Sequence, residues 1–345
     1  MSLIEQLLAI ARNTFFESIR QPVMTVVLGV AALLIILSNP FSAYTMQDDQ
    51  RMLIDIGLST IFISTSILAA FIATNVLTRE IENQTALTVI SKPVTRPVFV
   101  LGKYLGVAAA LAMAVLFLSF VFLLVELHGV LPTVRTPYHL PVIIFGVLAM
   151  ALGIAAAIWC NILYGMSFAS SSLCITTPLL GIAYVISLLF AKDFTLQSIA
   201  TDFDLNMVIC LFMLTLAILV LTAIAIAAST RLGQLMTLSV TIGFFLVGLL
   251  SDWLFARRIN ELQAYFSRID PGDMHMLDAD HLVFYINKIA YAIIPNFQVF
   301  WLSDALTQGK DIPLGYIAIT VPYGLLMIVA ALSIAIILFQ RREVG

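Results

Sequence analysis

Apolar residues fall along this chain in long runs broken by short polar clusters. The runs lie at 22–38, 54–77, roughly 98–125, 142–190, 207–229, 235–253 and 314–339. A helix needs about 20 consecutive apolar residues to cross the hydrocarbon of a bilayer. The stretch 142–190 holds no charged side chain, is too long for one crossing and fits two. The uncharged cluster Ser167, Ser170, Ser171 and Ser172 is the expected turn between them. The pattern therefore predicts an all-α polytopic bundle of about eight spans and no fewer than six, with the first span ended by Ser38-Asn39-Pro40.

Two segments break the pattern. In residues 3–20, Ile4, Leu7, Leu8, Ala11, Phe15 and Ile19 recur at helical spacing, while Glu5, Arg12, Asn13, Glu17 and Arg20 lie elsewhere on the wheel. That is an amphipathic helix lying in the membrane interface. Gln21-Pro22 ends it, because the residue before a proline resists the α region. The stretch 254–312 carries Arg257, Arg258, Glu261, Arg268, Asp270, Asp273, Asp278, Asp280, Lys288, Asp304 and Lys310. It predicts short helices across the membrane surface, with a turn at Pro271-Gly272. The organisation expected is one transmembrane domain over 1–345, with an interfacial helix at 1–21, a cytosolic segment at 78–97 and an extracytoplasmic helical segment at 254–312.

Composition agrees: 61% of residues are hydrophobic and 11% charged, against about a quarter charged in soluble domains. A net charge of −3 without a basic block argues against a nucleic-acid partner. Cys160, Cys174 and Cys210 lie in apolar runs and read as small hydrophobes. Residues 1–20 lack the basic start and unbroken apolar core of a cleavable signal peptide. With both termini inside, the inner side holds Arg12, Arg20, Arg79, Lys92, Arg96, Lys103, Arg231, Arg341 and Arg342, and the short outer loops hold Arg51, Arg135 and Lys192. That is the cytoplasmic excess of basic residues expected of a plasma-membrane or inner-membrane protein. Trp253 and Trp301 fall near the outer boundary and Trp159 near the inner one.

Reactive chemistry is sparse. Gly102-Lys103 has Pro97 at the first glycine position of a phosphate-binding loop and Tyr104 after the lysine, so that motif is broken. Asp55, Glu126 and Asp252 fall near span ends, which weakens an ion-coupled path or an intramembrane hydrolase. The group Asp273, His275, Asp278, Asp280 and His281 lacks a spacing that closes on one helix face and reads as a solvated loop, not a metal site. No catalytic residue and no cofactor is expected. Pro178 and Pro322 lie inside spans as kinks, whether static or used in gating.

The inner loop is the informative segment. Asn83 can cap a short helix over 84–90, which Lys92-Pro93 must end. Thr95 can cap the next helix, with Pro97 in its first turn. The short helix exposes Leu87 and Ile90 among polar groups, as a docking site would; the plain alternative is a loop resting on lipid headgroups. Just beyond it, Gly102, Gly106, Ala110 and Ala114 form a ridge of small residues that admits another helix closely, more readily within one subunit than between two.

These residues resemble the type-2 exporter-like permease subunits of ATP-binding cassette transporters. That family carries an acidic pair after the second span, then a pattern matched here by Glu80, Glu82, Leu87, Ser91-Lys92-Pro93-Val94-Thr95-Arg96, Phe99 and Gly102-Lys103. The flat N-terminal helix resembles the family's elbow helix; Ile294-Pro295-Asn296-Phe297 and the terminal Phe339-Gln340-Arg341-Arg342-Glu343 also match its habits. Two departures stand out: Gln84-Thr85 replaces a common Gly-Thr, and eight spans replace six, the extra pair falling within 142–229. The resemblance implies a permease homodimer or heterodimer coupled to a separate cytosolic ATPase, with Glu80, Glu82, Leu87, Ile90, Lys92 and Arg96 at the contact, exporting a hydrophobic or envelope-related cargo. The rival reading is a non-transporting membrane scaffold that holds a partner through 254–312.

Overall fold

The computed structural model describes residues 2–45, 48–82, 95–130, 137–268 and 279–340, with the backbone alone at 77–82. It is an all-α bundle. In chain order the helices are α1 (Leu3–Ile19), α2 (Pro22–Ser42), α3 (Asp49–Glu82), α4 (Arg96–His128), α5 (Leu140–Tyr164), α6 (Phe168–Leu188), α7 (Leu205–Ser229), α8 (Gln234–Leu249), α9 (Arg257–Phe266), α10 (Ala279–Ile293), α11 (Ser303–Thr307) and α12 (Leu314–Gln340). Among the described residues seven helices are long and apolar enough to cross a membrane; α8 with the helix after it makes an eighth, bent by 58°.

Local chemistry sets the boundaries. Ser2 and Glu5 close a capping box on α1: the Glu5 amide donates to Ser2 Oγ at 3.3 Å and the Ser2 amide to Glu5 Oε2 at 2.9 Å. Pro22 opens α2 and Pro97 lies in the first turn of α4, where a missing N–H costs no hydrogen bond. Gly165, at φ +63°, ends α5 in the left-handed conformation that a side chain would strain.

Three boundaries differ from the sequence reading. The α5–α6 turn lies at 165–167, while Ser170 and Ser171 enter α6 and are buried. The first span runs through Pro40 to Ser42. A proline inside a membrane helix is tolerated where neighbours satisfy the freed groups, and Asn39 there donates to the Gly129 carbonyl at 2.8 Å, tying α2 to the end of α4. The seventh span ends early: α8 stops at Leu249 and continues as a π-helical turn, Asp252–Ala256, into α9.

Polar contacts sort the helix ends into two faces. At one, Asn75 Nδ2 donates to Gln21 Oε1 at 3.3 Å and Gln234 Nε2 to Asn75 Oδ1 at 3.2 Å. This joins the starts of α2 and α8 to late α3. The end of α12 lies at this face too, so α1 and α12 converge there, as an even number of crossings requires. At the far face Gln50 Nε2 donates to Glu126 Oε1 at 3.3 Å, Ser303 to Asp55, and Asn206 Nδ2 to Asp311 Oδ1 at 3.1 Å. Of the acidic residues near span ends, Asp55 and Glu126 are each met by a polar partner there.

The core gathers around α7, whose buried side chains include Met213, Leu214, Ala217, Val220 and Ala223. On the far side the chain after α10 dips back into the bundle. Phe297 and Phe300 are fully buried, Phe62 meets Phe245 edge-on at 5.1 Å, and Trp301 stacks on Phe62 at 6.0 Å. Trp301 thus packs inside the bundle, while Trp159 and Trp253 are exposed.

Candidate functional site: the joint at the start of α4

Helix α3 has 34 residues and α4 has 33. At about 1.5 Å per residue each is roughly 50 Å long, against about 30 Å of hydrocarbon. The first turn of α4 lies beside the last turn of α12, and residues 83–94 join α3 to α4. The predicted docking residues Leu87, Ile90 and Lys92 lie in that connection, outside the described residues. Glu80 and Glu82 fall on the last turn of α3, where the structure describes backbone only. The site can therefore be built from Arg96 onward.

In the Arg96, Phe99, Gly102, Lys103 pattern the first two residues meet the end of α12 and the last two meet α1. Arg96 Nη1 donates to the carbonyls of Gln340 at 2.7 Å and Phe339 at 3.3 Å. The last carbonyls of a helix have no intrahelical donor and carry its negative dipole end, so a guanidinium there satisfies both needs. Arg231 Nε does the same for Leu338 at 3.0 Å. One turn on from Arg96, Phe99 stacks on Phe339 with ring centroids 5.7 Å apart and planes at 19°. The end of α12 is thus held by two cations and a ring.

The opposite side of the same turns holds α1. A Cβ at Gly102 would lie 2.7 Å from Ile10 Cγ2; one at Gly106 would lie 2.5 Å from the Ala11 carbonyl oxygen and 2.5 Å from Thr14 Cβ. The first half of the small-residue ridge is therefore the seat of α1, within this subunit. Ala110 and Ala114 are fully buried further along α4. Lys103 is 2% exposed; its Nζ lies 3.5 Å from Glu17 Oε2 on α1 and 5.8 Å from the Phe99 ring centre. A buried ammonium needs such pairing.

Sequence reasoning found these residues by pattern and missed what they touch. It assigned Arg96 to the rim of a partner contact, and the structure places its guanidinium on the last turn of α12. Also unforeseen was the cluster at the bent span. Asp252 Oδ1 accepts from Tyr291 Oη at 2.8 Å and from Asn296 Nδ2 at 2.7 Å, and the Asn296 amide donates to Tyr323 Oη at 2.9 Å. Asn296 is 4% exposed. The cluster pins the bend to the returning segment and to α12. Its one sequence signal was Pro295-Asn296 in an apolar setting. Of the proposed acid and histidine group, Asp280 and His281 are described; His281 stacks on Phe266 at 4.2 Å.

The exposed side of α3 narrows to one stripe, Ile56, Ile63, Ile67, Phe71 and Asn75, in line with the Asn75 bridge between α2 and α8. At its Asn75 end Glu17, Gln21, Pro22, Val23 and Asn75 line a cavity of about 270 Å³.

No curated protein matches the chain. Residues 8–172, which run from α1 through α3 and α4 into α6, match the family described as ABC-2 family transporter protein. Over that region, the chain is similar to the ABC-2 family of transporter proteins.

Proposed function

We propose that this permease is driven by a separate cytosolic ATPase that docks on residues 80–96, and that motion there reaches the spans through the joint at the start of α4. The observation that carries this is the position of Arg96 and Phe99. Arg96 ends the docking segment and Phe99 follows it, and both hold the last turn of α12, while Gly102 and Lys103, one turn on, hold α1. A push on the α3–α4 connection therefore acts on the interfacial helix and the final span together. In this reading both termini are cytoplasmic and 254–312 faces outward. A second permease copy covers the stripe on α3, so that the path for a hydrophobic or envelope-related cargo runs between the copies. The chain itself supplies no ATP-hydrolysing group.

The test is to co-express the chain with an ATPase subunit encoded beside it and to measure the mass of the complex in lipid particles. Two permeases with two ATPases are expected. A single permease copy bearing its ATPases contradicts the paired path, and no association with any ATPase favours the scaffold reading.

A further inference from the structure

At the face opposite α1, the ends of four helices surround a polar cavity of about 350 Å³ lined by Glu126, Leu127, His139, Ala191, Lys192, Gln197 and Asp202. Glu126 sits in the last turn of α4, His139 caps α5, Lys192 follows α6 and Asp202 precedes α7. Three of these positions belong to the additional helix pair and its flanks. The coupling machinery uses none of them.

His139 is 2% exposed, and its Nδ1 is buried without a hydrogen-bond partner. A buried polar atom left unpaired is costly, and this one belongs to a residue of the cavity wall. Glu126 and Asp202 each accept from one amide, Gln50 Nε2 at 3.3 Å and Gln197 Nε2 at 2.6 Å. A carboxylate has room for further donors. Among the described residues the wall therefore offers two acidic acceptors and a ring nitrogen, with one cation, Lys192.

We propose that this cavity binds a phosphoethanolamine headgroup, its primary ammonium on Glu126, Asp202 and His139 and its phosphate on Lys192. An ammonium brings three N–H donors and no acceptor, which matches the acidic side of the wall and the vacant Nδ1. A quaternary ammonium has no N–H to give and is usually held by aromatic faces; among the described residues, His139 is the one aromatic residue lining the cavity. The cavity lies at the ends of spans, at the level of lipid headgroups, so the ligand is either a membrane aminophospholipid or the free headgroup.

Native mass spectrometry of the purified full chain tests this after exchange into mixed vesicles of phosphatidylethanolamine, phosphatidylcholine and phosphatidylglycerol. The wild type should retain phosphatidylethanolamine about tenfold over the other two, a difference of about 1.4 kcal/mol. Glu126→Gln, which keeps the shape, should bring that preference close to parity, whereas Lys192→Ala, at an exposed site, should lower retention of all three lipids together. Competition by free phosphoethanolamine at similar concentration assigns the ligand to the soluble pool; competition only in large excess assigns it to the lipid. Equal retention of choline and ethanolamine lipids by the wild type, an unchanged preference in Glu126→Gln, or unchanged total retention in Lys192→Ala overturns the proposal.

Discussion

Arg96 Nη1 donates to the Gln340 carbonyl at 2.7 Å, joining the first turn of α4 to the last turn of α12 across most of the sequence. A hydrogen bond from a charged donor contributes about 1.5–3 kcal/mol where water is excluded, and less at a partly exposed site such as this. Arg96→Gln should lower the thermal midpoint modestly. It should also speed amide exchange in the last turn of α12 while leaving mid-span exchange unchanged. Exchange spread evenly over all spans would mean that the contact holds no local element.

The seat of α1 predicts a contrast between glycines. Gly106→Val places a branched side chain where even a Cβ would sit 2.5 Å from the Ala11 carbonyl. Overpacking of this kind costs about 1–3 kcal/mol, and α1 should lift from α4. Gly243→Ala on α8 meets nothing within 4 Å and should be neutral. Thermal unfolding in lipid particles, with cysteine accessibility at Ala11, reads both. Equal stability of the two variants would show that α1 does not pack against α4.

The polar cluster at the bend predicts that Asn296→Ala destabilises more than Gln298→Ala. The first removes a donor from the Asp252 carboxylate and an acceptor from the Gln298 amide. Leaving buried polar groups unpaired costs about 1–3 kcal/mol. Limited proteolysis between α9 and α10 should accelerate in Asn296→Ala alone.

His139 makes a pH-dependent contribution. Burial is the main cause that lowers its pKa below the ordinary imidazole value; Asp202 pulls it back up, and Lys192 and His128 push it further down. The folded state then binds fewer protons than the unfolded one. The contribution is present above the unfolded value of about 6.5 and is lost as pH falls through the lowered folded value. Glu126 on α4 and Gln197 on the α6–α7 connection also line this cavity. Between pH 7.5 and 5 the thermal midpoint of the wild type should fall more than that of His139→Gln. Parallel curves would contradict this.

The spans were legible because each is a run of apolar residues, and the run itself is the physical requirement for crossing. The joint was half legible. Gly102 and Gly106 announce a close approach, and Arg96, Phe99 and Lys103 follow at helical spacing. Periodicity shows which side of α4 is special and not which helix comes to it. The bend at Asp252 was hidden because its partners Tyr291 and Asn296 lie 39 and 44 residues further on. The α5–α6 turn was misplaced onto the serines because Gly165 alone supplies the left-handed residue that ends α5; Ser170 and Ser171 are small enough to be buried inside α6.

Coupling through the α3–α4 connection is the central claim, and one pair of variants tests it. Leu87 is proposed to fill a cleft on the ATPase and Glu82 to stand at its rim. Burial of a leucine side chain contributes about 1.5–3 kcal/mol and a rim ion pair about 0–1 kcal/mol. The measurement is co-purification with the ATPase together with ATP hydrolysis of the reconstituted complex. Leu87→Asp should lose most of both, Glu82→Gln should keep most of both, and neither should change the unfolding of the spans. Wild-type association and hydrolysis in Leu87→Asp would mean that the connection rests on headgroups and does not carry the drive.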